Sequence, residues 1–201
     1  MGVENRTEEK IMKEHATFAT RRTLLRAFPS VATPGFIGPW QLPRNSRVRF
    51  ATDFEPVLLR RSSEGRALSK ARLDTAEEFF AGVEEGRIRS TGTLLYHVGI
   101  ASQLALSAHL LDVGFPDDWN ARNLGLDVAR SLACANATGL CCDDPQMIQF
   151  AVSLSPYGKW RFADITGVSD FPFTDDQVKL LTRQLIDRVR DVTGHPLRSR
   201  S

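Results

Sequence analysis

Hydrophobic residues recur at intervals of three and four along most of the chain beyond residue 74, which is the spacing of helices that bury one face. The last run is the clearest, because Val178, Leu181, Leu185, Ile186 and Val189 form one apolar stripe. The same spacing predicts further helices, and glycine or proline residues separate them. The predicted helices cover about 74–86, 93–111, 118–137, a short stretch after residue 144, and 174–194. We therefore predict a mainly α fold, a compact helical domain of about five helices.

Three of these helices have a recognisable start in the sequence. Thr174 and Gln177 have the spacing of a capping box, in which each side chain accepts a backbone N–H of the other residue. Asp144 precedes Pro145, and this pair fits an N-cap residue followed by proline at the first helical position. Asp74 has a glutamate three residues on, which is an acidic version of the capping box. These residues predict helices that begin at residues 74, 145 and 175.

The segment between residues 29 and 43 contains four prolines and two glycines. Proline removes a backbone donor and fixes φ, so neither a helix nor a central strand suits this composition. The apolar side chains of Phe36, Ile37 and Trp40 predict an extended arm that packs against a surface, since a free linker is more polar. The predicted organisation is a basic helix and Pro-rich arm over 1–43, a mainly helical globular domain over 44–197, and a disordered tail over 198–201.

A short β-hairpin is predicted just after the arm. Residues 47–51 alternate polar and apolar side chains, and Val57, Leu58 and Leu59 form a second short apolar run. The polar residues from Ser62 to Gly65 then predict a turn before the first helix of the domain.

The segment Thr20–Arg26 resembles the motif of a bacterial twin-arginine export signal, which is Ser/Thr-Arg-Arg, any residue, two hydrophobics and a basic residue. The resemblance implies export. A signal, however, continues into an unbroken apolar run of about 7–15 residues with a small-residue cleavage site, and here prolines interrupt the uncharged run. We therefore interpret the segment as a degenerate signal and predict a cytoplasmic protein, with export by the twin-arginine pathway as the alternative.

Charge is unevenly distributed, although the formal net charge is only +2. Eleven basic residues lie between residues 21 and 72, opposed by three acidic ones, and an acidic stretch follows. Such asymmetry is typical either of an anionic partner or of two segments that neutralise each other in the fold. Arginine suits phosphate because its planar guanidinium donates two bonds at once. The arginines that would carry nucleic-acid binding are Arg44, Arg47, Arg49, Arg60, Arg61 and Arg66.

One uncharged stretch, 91–111, is long enough to cross a bilayer. It contains His97, His109, Gln103 and several hydroxyl side chains, which would need hydrogen-bond partners inside lipid. We interpret it as a buried core helix and expect no membrane span.

The residue types that carry chemistry form no recognisable site. Cys134, Cys141 and Cys142 lack the spacing of a zinc site, and their odd number favours a reducing compartment over a disulfide framework. His97 and His109 lie about 120° apart on one helix, so they cannot share a metal ion. The chain has no nucleophile elbow, glycine-rich phosphate loop or zinc-protease motif. We therefore predict no catalytic, cofactor-binding or metal-binding residues.

The remaining candidate site is one for protein contact. Tyr157, Lys159, Trp160 and Arg161 share a short exposed segment, and Tyr, Trp and Arg are enriched at interface hot spots. The sequence favours a non-catalytic helical accessory or binding protein whose partner is another protein or a second copy of itself. The alternatives are a nucleic-acid-binding protein that uses residues 44–72 and an enzyme whose active site is assembled from distant residues.

Overall fold

The computed structural model describes residues 17–19, 57–88, 90–162 and 171–196. Six α-helices lie in these residues, so the predicted mainly α fold is confirmed. The arm residues 20–43 and the tail lie outside the described residues. The elements are β1 (Thr17–Ala19), β2 (Val57–Leu59), α1 (Ser63–Glu84), α2 (Thr91–Val113), α3 (Asp117–Asn123), α4 (Val128–Ala137), α5 (Pro145–Leu154), a 3-10 helix (Tyr157–Phe162) and α6 (Asp175–Thr193).

The first helix begins eleven residues earlier than its sequence suggests, and the predicted turn from Ser62 to Gly65 is wrong. The Ser62 hydroxyl accepts the backbone N–H of Gly65 at 3.0 Å, which caps the helix at its true start. Asp74 therefore lies inside α1, where its carboxylate accepts a bond from Lys70 at 2.6 Å. The early turns are mostly polar because they bury only Ser69 and Leu73, so their helical period is weak in the sequence.

The predicted helix over 118–137 is two helices. The backbone of Gly125 turns into the left-handed region after α3, with φ of +53°, and the helix cannot continue through it. Asp127 then caps α4 by accepting the N–H of Arg130 at 3.0 Å. The other predicted starts are correct, since Asp144 caps α5 and the Thr174 capping box begins α6.

The small ladder differs from the predicted hairpin. Val57–Leu59 is a strand, but it pairs antiparallel with Thr17–Ala19, with Phe18 opposite Leu58. The predicted first strand, 47–51, lies outside the described residues. Within 1–43 the structure describes only β1, where the backbone is extended and not helical. After β2, the N–H of Arg60 donates to the carbonyl of Gly114 at 3.2 Å, which places the ladder beside the C-terminal end of α2.

The central element is α2, which packs against α1, α4, α6 and the 3-10 helix. It forms a helical hairpin with α1, and the two helices are joined where the Ser69 hydroxyl donates to the Ala108 carbonyl at 2.7 Å. This helix is long and apolar enough to cross a membrane, and 72% of its most apolar window is buried inside the protein. Residues 91–111 thus form a helix that lies mostly inside the fold, and the absence of a membrane span stays a prediction.

A charged network joins α1 to α6. Arg183 donates to Glu77 at 2.9 Å and to Glu84 at 3.1 Å, while its guanidinium stacks over the Phe80 ring at 4.9 Å. Arg190 also pairs with Glu77. Arginine can serve several carboxylates at once because its planar group carries five donors. The acidic stretch of α1 is thus matched by α6.

Candidate functional site

Five side chains from four parts of the chain form a continuous, partly exposed surface, the aromatic strip: Phe79, Tyr96, His97, Leu126 and Tyr157. Three ring pairs connect it, Phe79 to His97, His97 to Tyr96, and Tyr96 to Tyr157, each with centroids 6.1 Å apart. Leu126 extends the strip along the 3-10 helix, since its Cδ1 atom would lie 2.9 Å from a Cβ atom on Gly158, and its carbonyl accepts the N–H of Tyr157 at 3.2 Å. Rings at this separation and tilt attract each other beyond their simple burial. The strip is therefore a fixed surface that crosses α1, α2 and the 3-10 helix.

Phe79 reaches the surface because of the helical phase of α1. The buried positions of α1 are 69, 73, 76, 80 and 83, which recur at four and three. Phe79 lies about 100° from Phe80 around the helix axis, and it remains 36% exposed while Phe80 is fully buried. Phe79 therefore lies outside the inner face of its helix.

The middle of the strip lies on a face of α2 that the described neighbouring elements leave partly open. Tyr96 and His97 are half-buried there, and so are Ile100 and Leu104 one and two turns further along. No residue from Thr91 to Leu111 carries a formal charge. The His97 ring is held by a 2.8 Å contact between Nδ1 and the Thr93 carbonyl, within the same helix. The open face of α2 is thus uncharged over three turns.

A glycine on α2 allows the 3-10 helix to approach. A Cβ atom on Gly99 would lie 2.3 Å from the Cβ of Tyr157, so only glycine permits this contact. The approach half-buries Tyr157, and burial with the nearby Tyr96 phenol raises the pKa of Tyr157 above its usual value. Leu126, next to this contact, is 51% exposed. Gly99 therefore determines where one end of the strip lies.

The predicted contact residues of the 3-10 helix are divided between the core and the surface. Trp160 lies in the core at 6% exposure, where its indole N–H donates to the Leu154 carbonyl at 3.1 Å. Lys159 lies over the Trp160 ring and donates to the Ser155 carbonyl, and burial lowers the pKa of Lys159. Arg161 is exposed, and Tyr157 belongs to the aromatic strip. The predicted arm contacts, Phe36, Ile37 and Trp40, lie outside the described residues.

The basic segment is partly neutralised within the fold. Arg66 pairs with Asp112 at 2.8 Å, Lys70 with Asp74, and Arg72 with an aspartate of α3. Arg60 and Arg61 are exposed, and Arg44, Arg47 and Arg49 lie outside the described residues. Only the Lys70–Asp74 pair among these joins the basic segment to the acidic stretch that follows it, whereas Glu77 and Glu84 pair with α6. A nucleic-acid surface stays a prediction.

A serine–histidine pair lies in the core, but its geometry is not that of a nucleophile and base. The proton of Ser69 goes to the Ala108 carbonyl, so the Ser69 oxygen accepts from Nε2 of His195 at 2.8 Å. Ser69 is fully buried, and a nucleophile must reach its substrate. Burial also lowers the pKa of His195. The pair fastens the end of α6 to the α1–α2 hairpin.

A second histidine is enclosed between α2 and α4. His109 is fully buried and its Nε2 lies 3.2 Å from the Thr138 hydroxyl, whose own proton goes to the Cys134 carbonyl. Nε2 therefore carries the hydrogen, and Nδ1 is buried without a hydrogen-bond partner among the residues that the structure describes. Burial lowers the pKa of His109 from 6.5 to about 4. This histidine is a neutral core residue, and His97 lies on a different face of α2, as their spacing predicts.

The cysteines do not converge. Cys134 is buried, and burial raises the pKa of its thiol to about 12, whereas Cys141 is exposed in the following loop. Cys142 is half-buried, and its backbone exchanges two hydrogen bonds with the Asn136 amide. Among the described residues, no group of three or more His, Cys, Asp or Glu side chains is placed to hold a metal ion.

Sequence reasoning found one residue of the strip, Tyr157, and missed the other four. The available clue was the open face of α2, where Tyr96, Ile100 and Leu104 continue a row of large side chains one turn apart. Comparison with protein-family models, with curated proteins and with solved structures finds no match. The function is therefore argued from the strip itself.

Proposed function

We propose that this chain is a non-catalytic helical binding protein that acts through protein–protein contacts made by the aromatic strip. The observation that carries the proposal is the unbroken path of ring contacts from Phe79 to Tyr157, which crosses the uncharged open face of α2. Tyrosine and phenylalanine are enriched at interfaces, and charged residues are depleted at interface centres.

Scattered apolar side chains on a surface are ordinary, whereas a contiguous group is the mark of a contact site. Leu180 on α6 is 58% exposed, more than any side chain of the strip, and it is separate in the sequence from every strip residue. The strip differs because its members touch one another and are held by α1, α2 and the 3-10 helix. A rigid aromatic surface loses little conformational entropy when a partner covers it.

Replacement of the two most exposed strip residues tests the proposal. Phe79→Glu and Leu126→Glu each place a charge on the strip without removing a fully buried group, so we expect the protein to fold normally. Each substitution should lower partner binding at least tenfold, because a charge within an apolar contact surface must be desolvated. The measurement is quantitative co-purification of the full chain from its native cells, followed by binding assays with the purified partner.

Leu180→Glu is the matched control, since it introduces the same charge at an exposed leucine outside the strip. We expect it to bind its partner as the unmodified chain does. A partner that binds the Phe79→Glu and Leu126→Glu variants with unchanged affinity would refute the proposal. Circular dichroism of all three variants separates loss of contact from loss of fold.

A further inference from the structure

We propose that His97 makes binding through the aromatic strip depend on pH, and that the affinity for a partner falls as His97 takes up a proton below neutral pH. The inference rests on the proposed function, because it concerns the regulation of the same surface. It does not depend on which apolar partner covers the strip, since it follows from the charge of the imidazole alone.

His97 lies in the middle of the path of ring contacts. Its imidazole lies between the Phe79 ring from α1 and the Tyr96 ring from α2, and both centroids are 6.1 Å from that of the imidazole. The side chain of His97 is half-buried. A partner that covers the two neighbouring rings therefore also covers the part of His97 that the free chain leaves in water.

A hydrogen bond within α2 identifies the nitrogen atom of His97 that titrates. Nδ1 lies 2.8 Å from the Thr93 carbonyl. A carbonyl only accepts, so Nδ1 carries the hydrogen of the neutral ring and Nε2 holds the lone pair. The second proton therefore binds at Nε2, and the bond to Thr93 remains in place. Acidification adds a charge to the ring without removing the bond that holds it.

The surface around this imidazole is uncharged. No residue from Thr91 to Leu111 carries a formal charge, and the α1 positions one helical turn from Phe79 are threonine, alanine, glycine and valine. The other titratable groups of the strip are the phenols of Tyr96 and Tyr157. A phenol ordinarily loses its proton near pH 10, and burial raises the pKa of Tyr157 further. A protonated His97 is thus the one charge on the strip between pH 5 and 8.

The nearest acidic side chains of α1 do not neutralise this charge. Glu78 lies about 100° from Phe79 around the helix axis, and Glu84 is bound by Arg183 of α6. Within the described part of the chain, no carboxylate forms an ion pair with His97. A partner that covers the strip therefore meets the imidazolium as an unpaired charge.

The sign of the effect follows from desolvation. Covering the neutral ring buries one acceptor, Nε2, whereas covering the imidazolium removes a charge from water, and burying an unpaired charge costs far more than burying a neutral polar group. The covered state favours the neutral ring, so protonation weakens binding. A histidine ordinarily changes its charge between pH 5 and 8. We therefore expect the affinity to fall about tenfold between pH 7.5 and pH 5.5.

Two substitutions at position 97 test the inference with the protein that co-purifies with the full chain. His97→Gln does not titrate, so the ratio of its affinity to that of the unmodified chain should rise about tenfold from pH 7.5 to pH 5.5. The ratio removes any titration of the partner, which is common to both measurements. His97→Lys stays charged and should bind at pH 7.5 as weakly as the unmodified chain does at pH 5.5. His195→Gln is the matched control outside the strip, and it should keep the pH dependence of the unmodified chain.

Phenyl-agarose gives a second measurement with a probe of defined chemistry, because its rings are apolar and uncharged at both pH values. Retention of the full chain should fall from pH 7.5 to pH 5.5, and retention of His97→Gln should fall less. Circular dichroism at both pH values shows whether each variant is folded. An equal fall in retention for the two chains would count against a role of His97.

The outcomes separate this inference from the proposed function. An equal pH dependence of partner binding in the unmodified chain and His97→Gln overturns the inference. Tighter binding by the unmodified chain upon acidification overturns it as well, since the partner would then place an anionic group opposite Nε2. In both cases the proposed function stands if binding still requires Phe79 and Leu126. If no partner requires these two residues, the proposed function fails and the inference fails with it.

Discussion

Acidification from pH 7 to pH 4.5 should destabilise the unmodified protein by about 2–3 kcal/mol more than it destabilises His109→Gln. The cause is the enclosure of His109 between α2 and α4, which lowers its pKa from 6.5 to about 4. The nearby Asp112 carboxylate and the carbonyls of Ala135 and Thr138 favour protonation, but burial outweighs them. A charged imidazole would also place a proton on Nδ1, a buried atom that has no hydrogen-bond partner.

The sign follows from proton uptake. Below pH 6.5 the unfolded chain binds a proton at this histidine and the folded chain does not, so protons favour the unfolded state. The stabilisation is complete above about pH 6.5 and is lost as the pH falls towards 4. Glutamine does not titrate, and its amide can still donate to the Thr138 hydroxyl as Nε2 does. The His109→Gln variant should therefore be less stable than the unmodified chain at pH 7. Its free energy of unfolding should fall less upon acidification.

Urea unfolding monitored by circular dichroism at half-unit steps from pH 7.5 to 4.5 measures the effect as a change in the free energy of unfolding. His195→Gln is the necessary comparison, because burial lowers the pKa of His195 too. Its contribution to the free energy of unfolding is therefore also lost as the pH falls. Parallel pH profiles for the unmodified chain and His109→Gln would show that the imidazole takes up its proton as readily in the folded chain as in the unfolded chain, and would refute the burial argument.

Local signals in the sequence predicted those parts of the fold that depend on neighbouring residues. The Thr174 capping box and the Asp144 cap place the starts of α6 and α5 correctly, because a cap requires only residues two or three positions apart. The start of α1 was missed because the buried face of its first turns depends on residues far away in the sequence. Ser62 caps it through Gly65, and the polar turns that follow acquire their buried face only when α2 packs against Ser69 and Leu73.

The aromatic strip could not be predicted as a unit, since its members come from positions 79, 96, 97, 126 and 157 and no local pattern joins them. Trp160 shows that residue type alone does not predict whether a side chain lies in the core or on the surface. Its residue type favours a contact site, but the 3-10 helix turns its ring into the core, whereas Tyr157 stays on the surface. The choice between core and surface depends on how closely the 3-10 helix approaches α2, which only the packed structure defines.

The close contact between the 3-10 helix and α2 leads to a second prediction. The same substitution, glycine to alanine, should have opposite effects on stability at two helical positions. Gly99→Ala should destabilise the protein by about 1–3 kcal/mol, the usual cost of an overpacked core. Its new methyl group would lie 2.3 Å from the Cβ and 2.7 Å from the Cγ of Tyr157, so the 3-10 helix must move. The gain in helix propensity of alanine over glycine, about 1 kcal/mol, offsets only part of this cost.

Gly82→Ala is the matched control, because Gly82 also lies inside a helix and a Cβ there meets nothing within 4 Å. The substitution should stabilise the protein by about 0.5–1 kcal/mol, since alanine restricts the unfolded chain and favours the helix. Thermal and urea unfolding of the two variants compare them directly. Gly99→Ala should also displace Tyr157 from Tyr96, so binding through the strip should weaken in conditions where the variant is still folded. Equal stabilisation by both substitutions would mean that the 3-10 helix does not lie against α2, and the aromatic strip would lose the contact that connects Tyr157 to it.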